Sequence, residues 1–154
     1  MAIEIERKFL VDQAVLGELE GGRRISQGFL PTSGLTVVRV RIRGDDGFLT
    51  IKGENVDCAC TEFEYAIPLD DAQQMIDELC VGGVIDKTRY EIKNAGHVWE
   101  VDVFHGDNEG LVIAEVELSS VNEAFDRPPW LGEEVSGQTR YYNVNLLEHP
   151  YVRW

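Results

Sequence analysis

The sequence predicts an α+β chain that is mainly β, an eight-stranded antiparallel closed barrel with a few flanking helices. Eight segments alternate charged and apolar side chains with the period of two that a strand imposes. Turn-forming clusters of Gly, Asp, Asn and Pro separate most of them, and only one segment has strong helical spacing. Closing the sheet is the economical arrangement for so many strands, because it removes exposed edges.

In the first strand Glu4, Glu6 and Lys8 share one face, and Ile3, Ile5 and Phe9 the other. Asp12 to Glu20 has weak helical character and stops at Gly21-Gly22. Arg24 to Leu30 reads as a strand closed by Pro31-Thr32-Ser33-Gly34. Leu35 to Arg43 follows, with Arg39, Arg41 and Arg43 opposite Val38, Val40 and Ile42. Asp45-Asp46-Gly47 is a tight-turn signal that returns Phe48 to Lys52 as a hairpin, with Thr50 and Lys52 on its polar face. After a loop over Gly53 to Cys60, Glu62 and Glu64 alternate with Phe63, Tyr65 and Ile67 in a strand over Thr61 to Pro68.

Asp70 is the expected cap of the main helix, whose Met75, Ile76, Leu79 and Cys80 recur at helical spacing and so pack one face against an apolar neighbour. Three strands complete the set: Asp86 to Lys93 with Lys87, Arg89 and Glu91, His97 to Phe104 with Glu100 and Asp102, and Leu111 to Ser119 with Glu115 and Glu117. Asn122 to Phe125 reads as a short helix, Pro128-Pro129 as a break, and Thr139 to Leu147 as a last helix.

With 154 residues and 44% hydrophobic content, the chain suits one well-buried core, a single domain over 1–154. No stretch approaches the roughly 18–20 apolar residues that span a bilayer, and the charged N-terminus does not resemble a signal peptide. The expectation is a cytoplasmic protein with no membrane partner. Cys58, Cys60 and Cys80 lack zinc-site spacing and are expected to be free thiols. A net charge of −14 argues against general nucleic-acid binding. It does not exclude a small anion, since Lys8, Arg39, Arg41, Arg43, Lys52, Lys87 and Arg89 all fall in alternating strand patterns.

The charged rows admit two placements. Pointing outward, they leave a conventional core of Ile5, Phe9, Val38, Val40, Ile42, Ile51, Phe63, Tyr65, Val101, Val103, Val116 and Leu118. Pointing inward, they line a wet, charged barrel whose apolar rows face out under the helices. Sign segregation favours a ligand: neighbouring guanidinium groups on one strand face lie about 7 Å apart and repel by roughly 2 kcal/mol per pair at an effective dielectric of ~20. Clustered Arg and Lys suit phosphate oxygens, and clustered carboxylates suit a hard cation such as Mg²⁺ or Mn²⁺. His97, His105 and His149 lack metal-ligand spacing, and no nucleophile elbow, P-loop or Rossmann glycine pattern is present.

Glu4-Ile5-Glu6-Arg7-Lys8-Phe9-Leu10-Val11 resembles the N-terminal Glu-x-Glu-x-Lys signature of the CYTH superfamily, the triphosphate tunnel metalloenzymes. Arg39-Val40-Arg41, Leu49-Thr50-Ile51-Lys52-Gly53, Glu62-Phe63-Glu64, Lys87-Thr88-Arg89-Tyr90, Glu100-Val101-Asp102-Val103-Phe104 and Glu115-Val116-Glu117-Leu118 are similar to its later strand motifs, in the same order. Gly132-Glu133-Glu134-Val135 and Arg140-Tyr141-Tyr142-Asn143 extend the likeness.

The resemblance implies an eight-stranded barrel around a charged tunnel, and metal-dependent hydrolysis of a small triphosphate, above all inorganic triphosphate, with Mg²⁺ or Mn²⁺. It implies metal ligation or its support by Glu4, Glu6, Glu62, Glu64, Asp102, Glu115 and Glu117, and phosphate binding by Lys8, Arg39, Arg41, Lys52, Lys87 and Arg89. The catalytic set would be Glu4, Glu6, Lys8, Glu64 and Lys87, with Glu6 or Glu64 as alternative general bases. A CYTH-type adenylyl cyclase and a non-catalytic polyphosphate-binding protein are the rival functions, and a monomer or homodimer the expected state. One departure stands out: relatives of this size often carry a tyrosine after Gln-Gly in the second strand, and here Gln27-Gly28 precedes Phe29.

Overall fold

A computed structural model describes residues 3–154. The chain runs β1 (Ile3–Val11), α1 (Gln13–Leu16), β2 (Arg23–Leu30), β3 (Val37–Arg43), β4 (Asp46–Lys52), β5 (Ala59–Ile67), α2 (Leu69–Glu78), β6 (Val81–Asn94), β7 (His97–Phe104), β8 (Val112–Leu118), β9 (Leu131–Glu134) and α3 (Asn143–Glu148). Antiparallel pairing in the order β1-β5-β4-β3-β2-β6-β7-β8 returns to β1 and closes a ring of eight strands.

The ring is staggered, as a closed barrel requires. Only Ile3, Glu4 and Ile5 of β1 reach β5, and β9 takes over the same edge at Phe9 and Val11. The extra strand thus covers backbone groups that the stagger would leave unpaired. It carries no alternating pattern by which the sequence announces it. Gly132 permits the pairing, since a Cβ there would sit 2.9 Å from the Leu10 carbonyl oxygen.

The charged rows point inward. On the outer face of β1, β7 and β8, Phe9, Trp99, Val101, Ala114, Val116 and Leu118 form one cluster, covered by Trp130 with Phe125 against it. Phe9, Trp99 and Phe125 meet edge to face with centroids 5.6–5.9 Å apart. A second cluster joins Ala72 and Ile76 of α2 to Val40, Ile42, Leu49 and Ile67. Helix and barrel approach so closely that a Cβ on Gly47 would lie 2.9 Å from that of Ala72. Beyond Ile67, the outer row of β5 stays uncovered at Phe63 and Tyr65, which are exposed.

The third cluster lies at one end of the barrel interior. Leu10, Phe29, Val37, Ile85, Phe104 and Ile113 share strand parity with the inward charged rows, and together form an apolar collar. Tyr141, Val144, Leu146 and Leu147 of the C-terminal segment pack onto that collar and close the end. The inner rows of β1, β2, β3, β6, β7 and β8 therefore change from polar to apolar where the plug sits.

Several sequence expectations shift. The β3–β4 turn is Gly44-Asp45, with Gly44 at φ 60°, because Arg43 already pairs with Asp46; Asp46 and Gly47 belong to β4. The Asp12–Glu20 helix is only Gln13–Leu16, ended at Gly17. Pro68, not Asp70, precedes α2, and Asp70 and Asp71 instead lie in its first turn, where they complement the helix dipole. Leu79 ends α2 pointing to solvent, while Ala72 and Ile76 make its buried stripe.

Asn122 to Phe125 is not helical; Glu123 accepts hydrogen bonds from the Ser119 backbone N–H and hydroxyl. The expected last helix divides into a 3-10 turn over Thr139–Tyr141 and α3, because Tyr142 is extended. That break directs Tyr142 and Asn143 toward the tunnel.

Candidate active site

β2, β3 and β6 are neighbours, and their inner rows form a basic wall. Arg41 is only 6% exposed, and its Nε donates to Gln27 Oε1 at 2.7 Å. Among the described residues no carboxylate lies within 4.0 Å of its guanidinium, although such partners hold the other expected phosphate-binding cations. Burial pulls Arg41 down to about 9, helped by repulsion from Arg39 and Arg89. Arg39 reaches Thr50 Oγ1 at 3.1 Å and Glu64 at 3.4 Å, while its buried Nε has no partner.

Lys87 is 1% exposed, lying 2.7 Å from Asp102 and donating to Asn143 Oδ1 at 3.0 Å. Burial lowers it to about 7 despite Asp102. Arg89 donates twice to Asp102, at 2.7 and 2.9 Å, and once to Glu100 at 3.0 Å. Burial opposes its charge, but these carboxylates raise it well above the ordinary arginine value. Burial likewise opposes the Asp102 charge, and Arg89 and Lys87 overcome it, holding the group far below the carboxylate range.

β1, β5, β7 and β8 form the facing acidic wall. Glu6, Glu100 and Glu115 bring one oxygen each to within 4.8 Å of one another. Burial raises Glu6 well above its ordinary value, reinforced by repulsion from Glu115 and Glu4. Burial also opposes the Glu115 charge, but Lys8, 3.6 Å away, helps hold it at about 2. The two carboxyl groups are thus pushed in opposite directions, Glu6 up and Glu115 down, as close carboxylate pairs are. Three convergent hard oxygen donors fit a divalent cation.

Of the carboxylates expected as ligands, Glu6 and Glu115 converge, and Glu100 joins them. Glu4 pairs with Lys52 at 2.8 Å, and Glu62 is 4.0 Å from the same ammonium. Burial, with Glu4 adding, pushes Glu62 up to about 7. Glu64 accepts from Thr50 and Arg39, Asp102 neutralises Lys87 and Arg89, and Glu117 is exposed on the β8 inner row.

Depth orders these groups: Gln27, Lys87 and Asp102 sit at 1% exposure, whereas the Glu64 side chain is 41% exposed. Glu100 shows the same Glu-x-Asp alternation as its neighbours, and that parity is the signal for it. Gln27 and Asn143 are uncharged and carried no such signal. Phe29 is buried in the collar, so the position of the relatives' tyrosine supplies no hydroxyl here.

Away from the tunnel, His97 pairs with Glu123 at 2.5 Å and His105 Nε2 lies 2.7 Å from Thr88 Oγ1. All three cysteines are free, as expected. No described helix is long and apolar enough to cross a membrane.

The family model described as CYTH domain matches residues 2–151. An inorganic triphosphatase of Acetivibrio thermocellus is 44% identical over 151 residues, covering 98% of this chain and 97% of its own. One of Nitrosomonas europaea is 39% identical over 148 residues, covering 93% and 95%. A crystal structure of an inorganic triphosphatase superposes with TM-score 0.67 at 36% identity, over 96% of this chain and 95% of that one. A Pyrococcus horikoshii protein shares the fold at TM-score 0.58 and 19% identity, covering 77% and 80%. An inward-facing charged barrel, the strand motifs in family order and a match along nearly the whole chain agree: this chain belongs to the CYTH domain family.

Proposed function

We propose that the protein hydrolyses a terminal phosphoanhydride of inorganic triphosphate with the help of Mg²⁺ or Mn²⁺. Arg41 carries the reading: a buried guanidinium without a carboxylate partner, set in a wall of further cations, is costly unless an anion completes it. The names of the two relatives covering almost the whole chain support inorganic triphosphate as the substrate.

Arg39, Arg41, Lys87 and Arg89, with Lys8 and Lys52 from β1 and β4, hold the phosphate oxygens. Glu6, Glu100 and Glu115 hold the cation, and Glu4, Glu62, Glu64, Asp102 and Glu117 support the charge balance around it. When bound, the cation neutralises phosphate charge as the loose transition state forms. Water attacks the terminal phosphorus, the bond to the bridging oxygen breaks, and pyrophosphate departs with orthophosphate as the other product. A carboxylate of the acidic wall, Glu6 or Glu64, takes the water's proton.

Lys52–Glu4, Arg89–Glu100 and Lys8–Glu115 are paired across or along the walls. Phosphate oxygens would take over Lys52, Arg89 and Lys8, and the carboxylates so released would be available to hold a divalent cation, so neither sign of charge is left stranded.

The test supplies inorganic triphosphate and ATP separately with Mg²⁺ or Mn²⁺ and follows orthophosphate, pyrophosphate and cyclic AMP. Equimolar orthophosphate and pyrophosphate from inorganic triphosphate is the expected result. Cyclic AMP as the main product from ATP, with little triphosphate hydrolysis, would refute it.

A further inference from the structure

Two uncharged amides join the plug to the basic wall. Asn143 is the first residue of α3, and its Oδ1 accepts both from Lys87 Nζ at 3.0 Å and from Gln27 Nε2 at 3.1 Å. Both lone pairs of that oxygen are therefore engaged. Gln27, itself 1% exposed, turns its own Oε1 to Arg41 Nε at 2.7 Å. A continuous line of hydrogen bonds thus runs Lys87–Asn143–Gln27–Arg41, in the deepest part of the tunnel just above the apolar collar.

Elsewhere in the tunnel, carboxylates orient the cations. Lys52 has Glu4, Arg89 has Asp102 and Glu100, Lys8 has Glu115, and Arg39 has Glu64. Lys87 itself shares Asp102 with Arg89, which leaves Arg41 as the cation held by an amide alone among the described residues. A carboxylate orients a cation but also cancels its charge, so an incoming phosphate must compete with it. An amide oxygen orients a cation and leaves the charge whole. Arg41 depends on this most, since Gln27 is its sole hydrogen-bonding partner among the described residues.

We propose that Gln27 and Asn143 are positioning residues: Gln27 aims Arg41 at the bound triphosphate without neutralising it, and Asn143 fixes Gln27 and orients Lys87 beside its carboxylate partner Asp102 without adding a second negative charge. The proposal makes the C-terminal segment part of the substrate site as well as a stopper. α3 holds Asn143 in place through Leu146, which is fully buried in the collar. The extended Tyr142 is what lets the side chain enter the tunnel. The proposal rests on the triphosphatase reading for the identity of the anion.

Asn143→Asp isolates the point, because a carboxylate still accepts both hydrogen bonds and adds only charge. Asn143→Leu removes the acceptor and adds none. Inorganic triphosphate binding is measured by calorimetry in EDTA, KM and kcat with Mg²⁺, and thermal midpoints for each variant.

The expected result is that Asn143→Asp weakens triphosphate binding at least about tenfold, the effect of one buried negative charge near the phosphates, with KM raised more than kcat is lowered. Its thermal midpoint stays at or above wild type. Asn143→Leu loses about three- to tenfold, from lost orientation alone.

Binding by Asn143→Asp within twofold of wild type would overturn the proposal, because the residue would then be a plain structural acceptor. Losses that track a fall in thermal midpoint in both variants would overturn it equally. Wild-type protein that binds triphosphate in EDTA but does not hydrolyse it refutes the triphosphatase reading, while the binding ratios still decide this proposal. Wild-type protein that binds no triphosphate refutes both.

Discussion

The two walls of the tunnel solve opposite versions of one problem. On the acidic wall, burial and the nearness of Glu115 push Glu6 well above its ordinary value, so a carboxylate cluster can moderate its charge through its own proton affinity. Arginine has no such escape near neutrality, so the basic wall is relieved by partners: Asp102 between Lys87 and Arg89, Glu64 beside Arg39, and neutral amides beside Arg41. The difference teaches that an acidic cluster can adjust its charge by taking up a proton. A guanidinium cluster must be built with counter-ions or left ready for an anion.

The largest effect expected from breaking this arrangement is at Asp102. Asp102→Ala leaves Lys87 and Arg89 buried without their shared partner, and a loss of roughly 3–5 kcal/mol in urea-unfolding stability is expected. A loss below about 1 kcal/mol would show that water or Glu100 replaces Asp102 at no cost.

Arg41→Ala should do the reverse: unfolding stability holds or rises, because a buried charge without a counter-ion is removed. Triphosphate binding weakens by roughly 1.5–3 kcal/mol, the range for a hydrogen bond to a charged group. Calorimetry against inorganic triphosphate separates the two quantities, and unchanged affinity would remove Arg41 from the phosphate site.

Glu115→Gln and Glu117→Gln sharpen the comparison on the acidic wall. Glu115 is in the convergent cluster and Glu117 is exposed, so the half-saturating Mn²⁺ concentration should rise about 10–100-fold for the first and clearly less for the second. Equal rises in a Mn²⁺ titration would place Glu117 in the same ligand shell.

The smallest effect is on pH dependence. Burial holds Glu6 and Glu62 above the ordinary carboxylate range, Glu62 at about 7, so between that range and pH 7 the unfolded chain binds fewer protons than the native one. Stability in EDTA should therefore fall as pH rises from about 5 to 7. Below pH 4.5 the sign reverses, because Glu115 and Asp102 are depressed and their contribution is lost on acidification. Thermal midpoints across this window check the first slope, and Glu62→Gln should flatten it.

Much of this was legible in the sequence because strand parity is a local rule. The His97–Phe104 strand has the bounds its alternation predicts, and Arg39, Arg41, Lys87, Arg89 and Glu115 each share a face with the charged neighbours their period assigns. Glu100 obeyed the same rule, and its place beside Glu6 and Glu115 depends on how β7, β8 and β1 stagger. β9 escaped because four residues including a glycine carry no period, and its pairing answers a need created only by the closed ring.

By itself, then, the sequence determined which side chains share a face, and through its ordered motifs the family and the barrel. A period of two cannot say which face is inside, since that depends on which rows the helices and the C-terminal segment cover. Only the tertiary structure decided that Asn143, 116 residues along the chain from Gln27, would meet it between two buried cations. Hydrogen bonds between uncharged amides leave no mark on charge pattern or hydropathy, and they exist only once the strands have closed and the plug has seated.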